Sequence, residues 1–418
     1  MPEWLMRETP RTRPARERPT AATPTPRVRL GDPALDHRPI RVQPLADGHE
    51  AQFVETAEHR QIRGREGSVV HVEVFRQMVS VRTSIIGRPR PLPGHQRAQP
   101  PTPSTAKSQI IALAALVVLY GFFAIFGNHF LSADTFLSML SSSYYIGFLA
   151  IGMTFVIITG GIDLSSGTVM VGAALVGGVA YNVWHFPIAL ALLMVILTGV
   201  VFGVGNGVLI GILGLPPFIA TLGMQFVSLG LCAVVAKVQT QTYPSLGTPS
   251  GVFKSIIYKW GAVPMGAVWL ALFFVIAWFL LTRTKLGRYT YAIGSNEEAV
   301  TLSGVQVSYW KVWVYVLNGF FCGLAGVIYA ATFSSITPQT GNGQEMYAIA
   351  AAVIGGTSLA GGIGSLWGTI IGVFVISVLK TGLLSMQLPV QWQQVLIGVV
   401  VILAVLLDVV RTRRLNRT

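Results

Sequence analysis

The stretch RTKLGRYTYAIGSNEEAVTLSGVQVSYWK, residues 283–311, decides how this chain is read. It is the one clearly polar, basic break inside roughly 300 residues of almost unbroken apolar sequence. Arg283, Lys285, Arg288 and Lys311 mark it as cytoplasmic, because membrane loops rich in Lys and Arg stay on the inner side. Ser295 and Glu298 have the spacing of a capping box, which predicts the start of a short helix. Glu297 and Glu298 fall in its first turn, where carboxylates suit the helix dipole. Ala299, Leu302 and Val305 give the helix a small apolar face, and Gly304 is placed to end it. Two readings of this segment stand: a solvated connection with an ordinary amphipathic turn, or a docking helix for a cytosolic partner.

Around this segment the composition is that of a membrane protein. The chain has 418 residues, 52% of them hydrophobic and 11% charged, which is unlike a soluble globular domain. Of the 30 Lys and Arg residues, 18 fall in residues 1–108. The remaining three quarters of the chain hold six acids: Asp134, Asp163, Glu297, Glu298, Glu345 and Asp408. The net charge of +13 therefore comes in good part from the first hundred residues, and the rest flanks apolar segments. This distribution favours topology signals and contacts to anionic lipid over nucleic-acid binding.

Residues 1–107 carry 15 of the 23 prolines, are rich in Arg, and show little periodicity. Such a segment cannot build a core, and it is expected to be a disordered extension. Val and Ile between Gly67 and Ile86 suggest at most a weak strand. No apolar run follows the early arginines, so no signal peptide is expected, and Met78 is a candidate alternative start.

From Ser108 onward an all-α, polytopic membrane domain is expected over 108–412, with a basic tail at 413–418. About ten spans of the ~20 apolar residues that a bilayer requires can be marked. They run over 109–127, 142–160, 163–182, 186–212, 217–237, 264–282, 312–331, 345–360, 363–380 and 391–409. The third and ninth follow their predecessors after only a Gly-Gly turn, so each pair could be one broken helix. Lys107, the 283–311 loop and the Arg411–Arg417 tail all read as cytoplasmic, which needs an even number of spans between them. Lys254 and Lys259, on the opposite side in this count, run against that rule.

Two glycine ladders predict how the spans pack. Gly199, Gly203, Gly207 and Gly211 recur every four residues, and Gly364, Gly368 and Gly372 do the same. Small residues at this spacing let helix backbones approach closely in lipid. There is also an internal echo: TGGIDLSSGT at 159–168 agrees with AGGIGSLWGT at 360–369 in five of ten positions. Transporters are often built from repeats with sites at the repeat interface, though ten Gly-rich residues can match by chance.

Asp163 is the candidate chemical centre. It follows the helix-breaking Gly160-Gly161, and an ionisable residue at a break inside a membrane is by default functional. The competing reading is structural: Asp163 caps the next helix through the amides of Ser165 or Ser166. With Asp163, the residues Ser165, Asn206, Gln225, Asn318 and Trp392 are further polar or aromatic residues that could line a substrate pathway. Each could equally make an inter-helix hydrogen bond worth about 0.6 kcal/mol. Cys232 and Cys322 lie in apolar segments without metal or redox spacing. No GxxxxGK[ST], HExxH or GxSxG motif occurs, so neither nucleotide hydrolysis nor a metal or catalytic site is expected on this chain.

Several of these motifs also carry a resemblance. Glu298-Ala299-Val300 followed by Gly304 resembles the EAA-xxx-G signature of ABC importer permeases, with Val300 where that signature has a second Ala. GGIDLSSG (160–167), LGRYTYAIGSNEEA (286–299), AIAAAVIGGTSLAGGIGS (348–365) and WQQVLIGVVVILAV (392–405) are similar to sugar permeases of the ribose, xylose and galactose type. The resemblance covers about residues 105–412 and leaves the long N-terminal segment outside. It implies the transmembrane subunit of a bacterial inner-membrane sugar importer with both termini cytoplasmic. It further implies a dimer of permeases, a cytosolic ATPase that binds ATP and Mg and docks on Ser295–Gly304, and a periplasmic sugar-binding protein. The alternatives are a secondary transporter driven by an ion gradient, for which Asp163 would be the obvious ion site, and a membrane enzyme, for which no catalytic grouping is present.

Overall fold

The computed structural model describes residues 103–415 apart from 261–262, without the side chains of 103–108, Val390, Ala404 and 407–415. The expectations for the extension, its weak strand and Met78 lie outside the described residues.

The described chain is a helical bundle, as a membrane setting demands: with no water in the bilayer core, each backbone N–H and C=O must be paired within its own segment. In chain order the helices are α1 (Pro103–Phe126), α2 (Ala133–Ile158), α3 (Ser166–Asn182), α4 (Ile188–Gly207), α5 (Pro217–Val235), α6 (Val252–Ile257) and α7 (Met265–Arg283). They continue with α8 (Lys285–Ser295), α9 (Glu297–Leu302), α10 (Val307–Phe333), α11 (Gln344–Ile354), α12 (Leu366–Ser385) and α13 (Val390–Leu415). Two short strands, β1 (Gln241–Thr242) and β2 (Ser335–Ile336), pair antiparallel at one end of the bundle.

Seven of the described helices are long and apolar enough to cross a membrane: α1, α2, α4 with its π-helical extension to Ile212, α5, α7, α10 and α12. Of the ten expected spans, 391–409 falls on α13, whose described apolar stretch is only Gln391–Leu403, and those at 163–182 and 345–360 come out shorter. Helix α3 starts only at Ser166 and has 17 residues, and α11 stops at Ile354 after 11. Both shortfalls come from glycine turns. Gly160 has φ +80° before α3, and Gly356, Gly361 and Gly362 have φ +94°, +83° and +72° between α11 and α12. Only glycine adopts that region at little cost, so each α-helical path is broken there.

Burial grades from centre to rim. Helix α2 is enclosed continuously from Ser143 to Ile158, and much of α10 and α12 is enclosed with it. Helices α1, α5 and α7 turn large apolar side chains outward, among them Ile125, Phe226 and Phe279. A helix apolar on its outer face is stable when that face meets lipid.

The first glycine ladder has found its partner. Positions 199, 203, 207 and 211 face α10 along one line. A Cβ on Gly199 would stand 2.7 Å from the Gly323 nitrogen, and one on Gly203 would stand 2.6 Å from the Tyr315 carbonyl oxygen. The same test places Gly207 2.9 Å from the Val312 carbonyl and Gly211 2.7 Å from that of Ser308. In the second ladder Gly368 and Gly372 press on the backbones of Gly355 and Ala351 in the same way. Gly364 does not belong to that ladder. It precedes Ser365, whose Oγ caps α12 by accepting from the Gly368 N–H, and it faces Ile158 and Thr357. The capping serine starts the helix one residue too late for Gly364 to share its face.

Of the two lysines that ran against the charge rule, Lys259 is exposed and Lys254 has a local explanation. Lys254 is 5% exposed on α6, and its ammonium donates to the hydroxyl of Ser334. It serves as an internal contact rather than as an open-loop charge, and burial holds its pKa below the usual lysine value.

Candidate functional site

Both Gly-Gly turns and the end of α8 meet at one point. The Gly362 N–H donates to the Ile158 carbonyl at 2.8 Å, joining the second turn to the last residue of α2. A Cβ on Gly361 would stand 2.8 Å from the Gly294 oxygen and 3.0 Å from the Gly160 nitrogen. One on Gly294 would stand 2.5 Å from the Gly362 nitrogen, and Tyr291 donates its hydroxyl to the Gly364 carbonyl at 2.8 Å. The two copies of the echoed motif are therefore in contact, and the polar 283–311 segment is packed against both. At this junction backbone meets backbone at Ile158, Gly294 and Gly362, with the side chains of Tyr291 and Ser295 beside it.

Asp163 lies just beyond the first break, 3% exposed. Its Oδ1 accepts from the Ser165 N–H at 2.8 Å and from the Ser165 hydroxyl at 2.6 Å. Its Oδ2 accepts from Nδ2 of Asn318 at 2.7 Å and of Asn206 at 3.3 Å. The same two amides reach the hydroxyls of Ser166 (3.1 Å) and Ser165 (2.9 Å). One carboxylate thus holds the start of α3 to α4 and α10. Charge-assisted hydrogen bonds of this kind are roughly twice as strong as neutral ones. The structural reading of Asp163 as the residue that organises the helix start matches this geometry, and the two asparagines extend it across three helices.

Four expected pathway residues, Asp163, Ser165, Asn206 and Asn318, come together in this knot. Gln225 belongs to a second polar contact: its Nε2 donates to Glu345 Oε1 at 3.3 Å, and the Gly343 N–H donates to the same oxygen at 3.1 Å. Glu345 is 3% exposed, and its Oε2 has no hydrogen-bond partner among the described residues. The sequence marked Glu345 only as one of six acids. Its place between the turn glycines Gly341 and Gly343 and an apolar helix was the available signal. Trp392 joins neither group: it is 60% exposed at the start of α13. Among the described residues no cluster of His, Cys, Asp or Glu is arranged to hold a metal ion.

The 283–311 segment forms the expected short helix with its start moved by one residue. Ser295 is the last residue of α8, and its hydroxyl donates back to the Tyr291 carbonyl at 2.9 Å. Asn296 is the N-cap of α9: at φ −162° it breaks the helix, and its Oδ1 accepts from the Ala299 N–H at 2.9 Å. The box from Ser295 to Glu298 is therefore not made, because α8 stays helical through Ser295 and leaves the capping to Asn296. The apolar face also differs. Val300 is the residue that packs inward, against Ile293, Val307 and Trp310, while Ala299 is exposed and Leu302 is 83% exposed. Glu297 pairs with Lys311 at 2.7 Å. Gly304 ends the turn at φ +83°, as a C-terminal glycine does. What remains outward is Glu298, Ala299, Thr301 and Leu302 on a helix fixed to the rest of the chain by its other side.

A bundle of apolar helices, broken inside by glycines around a buried carboxylate and carrying an anchored polar helix, has the make-up of a multi-span membrane protein. The chain belongs to the family described as branched-chain amino acid transport system / permease component, whose pattern matches residues 135–405. It is 40% identical over 294 residues to a ribose import permease of Bacillus subtilis (strain 168), covering 70% of this chain and 90% of that one. It is 36% identical over 308 residues to the ribose import permease of Escherichia coli (strain K12), covering 71% and 92%. A fructose import permease of Rhizobium meliloti is 33% identical over 314 residues, covering 73% and 85%. No solved structure matches the chain.

Proposed function

We propose that this chain is the transmembrane subunit of an ATP-driven sugar importer of a bacterial inner membrane, and that it carries a monosaccharide of the ribose, xylose or galactose kind. The relatives named for ribose and fructose import favour a sugar over the amino acid in the family description. Two permease copies would frame the pathway, with a periplasmic sugar-binding protein on one side, a cytosolic ATPase on the other, and both termini cytoplasmic. ATP and Mg would belong to the ATPase, since this chain has no phosphate-binding loop.

One observation carries the reading. The outward face of α9 stands on α8, and Gly294 at the end of α8 touches both helix breaks without an intervening side chain. An ATPase pushing on α9 would move the Gly160-Gly161 turn and, three residues on, Asp163. Binding energy at one surface would thereby bias a two-state rearrangement in the interior. Gradient-driven transport has weaker support. Asp163 already has four donors, as a structural anchor does, and α9 would have no use.

Glu298→Lys tests this directly. Glu297 is occupied by Lys311, whereas Glu298 makes no hydrogen bond or ion pair among the described residues. The substitution should leave folding within about 0.5 kcal/mol, as surface changes usually do. Uptake and sugar-stimulated ATP hydrolysis by the assembled complex should fall together by at least tenfold, roughly the effect of losing 1.4 kcal/mol at an interface. Unchanged ATP hydrolysis and uptake would remove α9 from the coupling path.

A further inference from the structure

Arg283, Lys285 and Arg288 are basic side chains without a task in the coupling path. All three are exposed. No acid lies between them in the chain, and the one ion pair among the described residues joins Lys311 to Glu297. The helices that carry them fix where these charges stand.

Helix α7 has two faces. Leu270, Phe274, Ala277 and Leu281 are buried against the bundle. Val268, Leu272, Val275, Ile276 and Phe279 are exposed along the other side. An exposed apolar stripe on a membrane-crossing helix is stable against acyl chains. Arg283 follows Phe279 by four residues, so it continues the stripe and ends it with a positive charge. The outward face of α7 therefore passes from acyl chains to headgroups at this residue.

Helix α8 starts two residues later and is amphipathic. Gly287, Thr290 and Ile293 are buried along one face. Lys285 and Arg288 lie on the opposite, open face, one turn apart. Aromatic rings tie this half of α8 to the start of α10. The ring of Tyr289 packs on that of Trp310 with centres 4.7 Å apart, and Trp310 meets Tyr309 at 5.4 Å. Tyr309 and Trp313 are exposed. Tyr and Trp gather where acyl chains give way to headgroups, because their rings have an apolar body and a polar tip. The end of the α7 stripe and this aromatic cluster independently put the three charges at the membrane surface.

We propose that Arg283, Lys285 and Arg288 bind the phosphate of an anionic phospholipid whose acyl chains run along the outward stripe of α7. Basic residues beside a span attract anionic headgroups, and an arginine can grip a phosphate through two N–H groups. A zwitterionic lipid brings its own ammonium to the site and gains less. An acidic protein surface would match the charges but not the apolar stripe that leads into them. A lipid held there fixes the rim end of α8, whose other end meets Ile158 and Gly362 at the helix breaks. The inference needs only a chain that spans the membrane and is independent of cargo and energy source.

The test titrates the full chain in detergent with phosphatidylglycerol or phosphatidylcholine of the same acyl chains, and native mass spectrometry counts the lipid retained. Phosphatidylglycerol should bind at least about tenfold more tightly. The preference should shrink as salt rises from about 0.1 M to about 1 M, where charges are screened beyond ~3 Å. Arg283→Gln with Arg288→Gln should remove most of the preference. Lys237→Gln with Lys259→Gln takes the same charge from two other exposed positions and should leave it. Equal binding of the two lipids by the unaltered chain overturns the proposal, and that comparison does not depend on any variant folding. An undiminished preference in the arginine pair, or an equal loss in the lysine pair, overturns it as well. Displacement of the lipid by inorganic phosphate would make this a site for a free anion. An arginine pair that keeps its lipid but no longer retains the ATPase would assign the face to that protein, and either result rejects the lipid site.

Discussion

Gly203→Leu is expected to leave little folded protein in the membrane. A Cβ at this position would already stand 2.6 Å from the Tyr315 carbonyl and 2.9 Å from the Gly319 Cα, and both neighbours are backbone atoms that cannot rotate away. Leucine adds three further carbons to that clash. Helices α4 and α10 would have to separate along the whole line from Gly199 to Gly211. In lipid that contact is maintained by close van der Waals packing, with little hydrophobic drive to restore it. A loss of about 3 kcal/mol is expected, at the upper end of overpacking costs. Gly223→Leu is the matched control: nothing lies within 4 Å of its Cβ position on α5, so folding should be unaffected. The yield of monodisperse protein after detergent extraction, compared between the two variants, checks this. Equal yields would mean that α4 and α10 do not meet through the ladder.

Asp163→Ala is the second large effect. It removes the acceptor for Nδ2 of Asn206 and of Asn318 and for the N–H and hydroxyl of Ser165, all inside the bundle. Hydrogen bonds to a charged group contribute about 1.5–3 kcal/mol each, and unpaired donors are costly where no water reaches. A loss on the order of 3 kcal/mol or more is expected, and some of it falls on the start of α3. Asp163→Asn should cost nearly as much, because an amide turns one accepting oxygen into a donor facing two other donors. Thermal unfolding in detergent measures both variants. A melting point near that of the parent would show that the knot is not what holds the break in shape.

The parts legible in the sequence were those with local signals. A Gly-Gly pair before an Asp in an apolar run announced a broken helix, and glycines every four residues announced a close packing face. A basic break of 29 residues announced an exposed segment. The parts that were not legible depended on distant partners. Asp163 and Asn318 are 155 residues apart, and nothing local to either indicates that they meet. The cap of α9 was misplaced by one residue because Ser295 and Asn296 are both good capping residues. The choice between them depended on how far α8 continued. The six residues of α9 make fewer than two turns, too few for periodicity to say which side packs. The docking of Val300 on Ile293 and Val307 determined that instead. Gly364 kept the spacing of its ladder but fell outside the helix.

The central claim is that transport through this chain is driven by an ATPase acting on α9. The most direct measurement is sugar uptake into liposomes that contain the purified chain alone, with an imposed proton or sodium gradient. The account predicts no accumulation there. It predicts ATP-dependent uptake once the cognate ATPase and binding protein are added, and loss of that uptake in Glu298→Lys. Robust accumulation driven by the gradient alone would contradict the account and identify a secondary transporter.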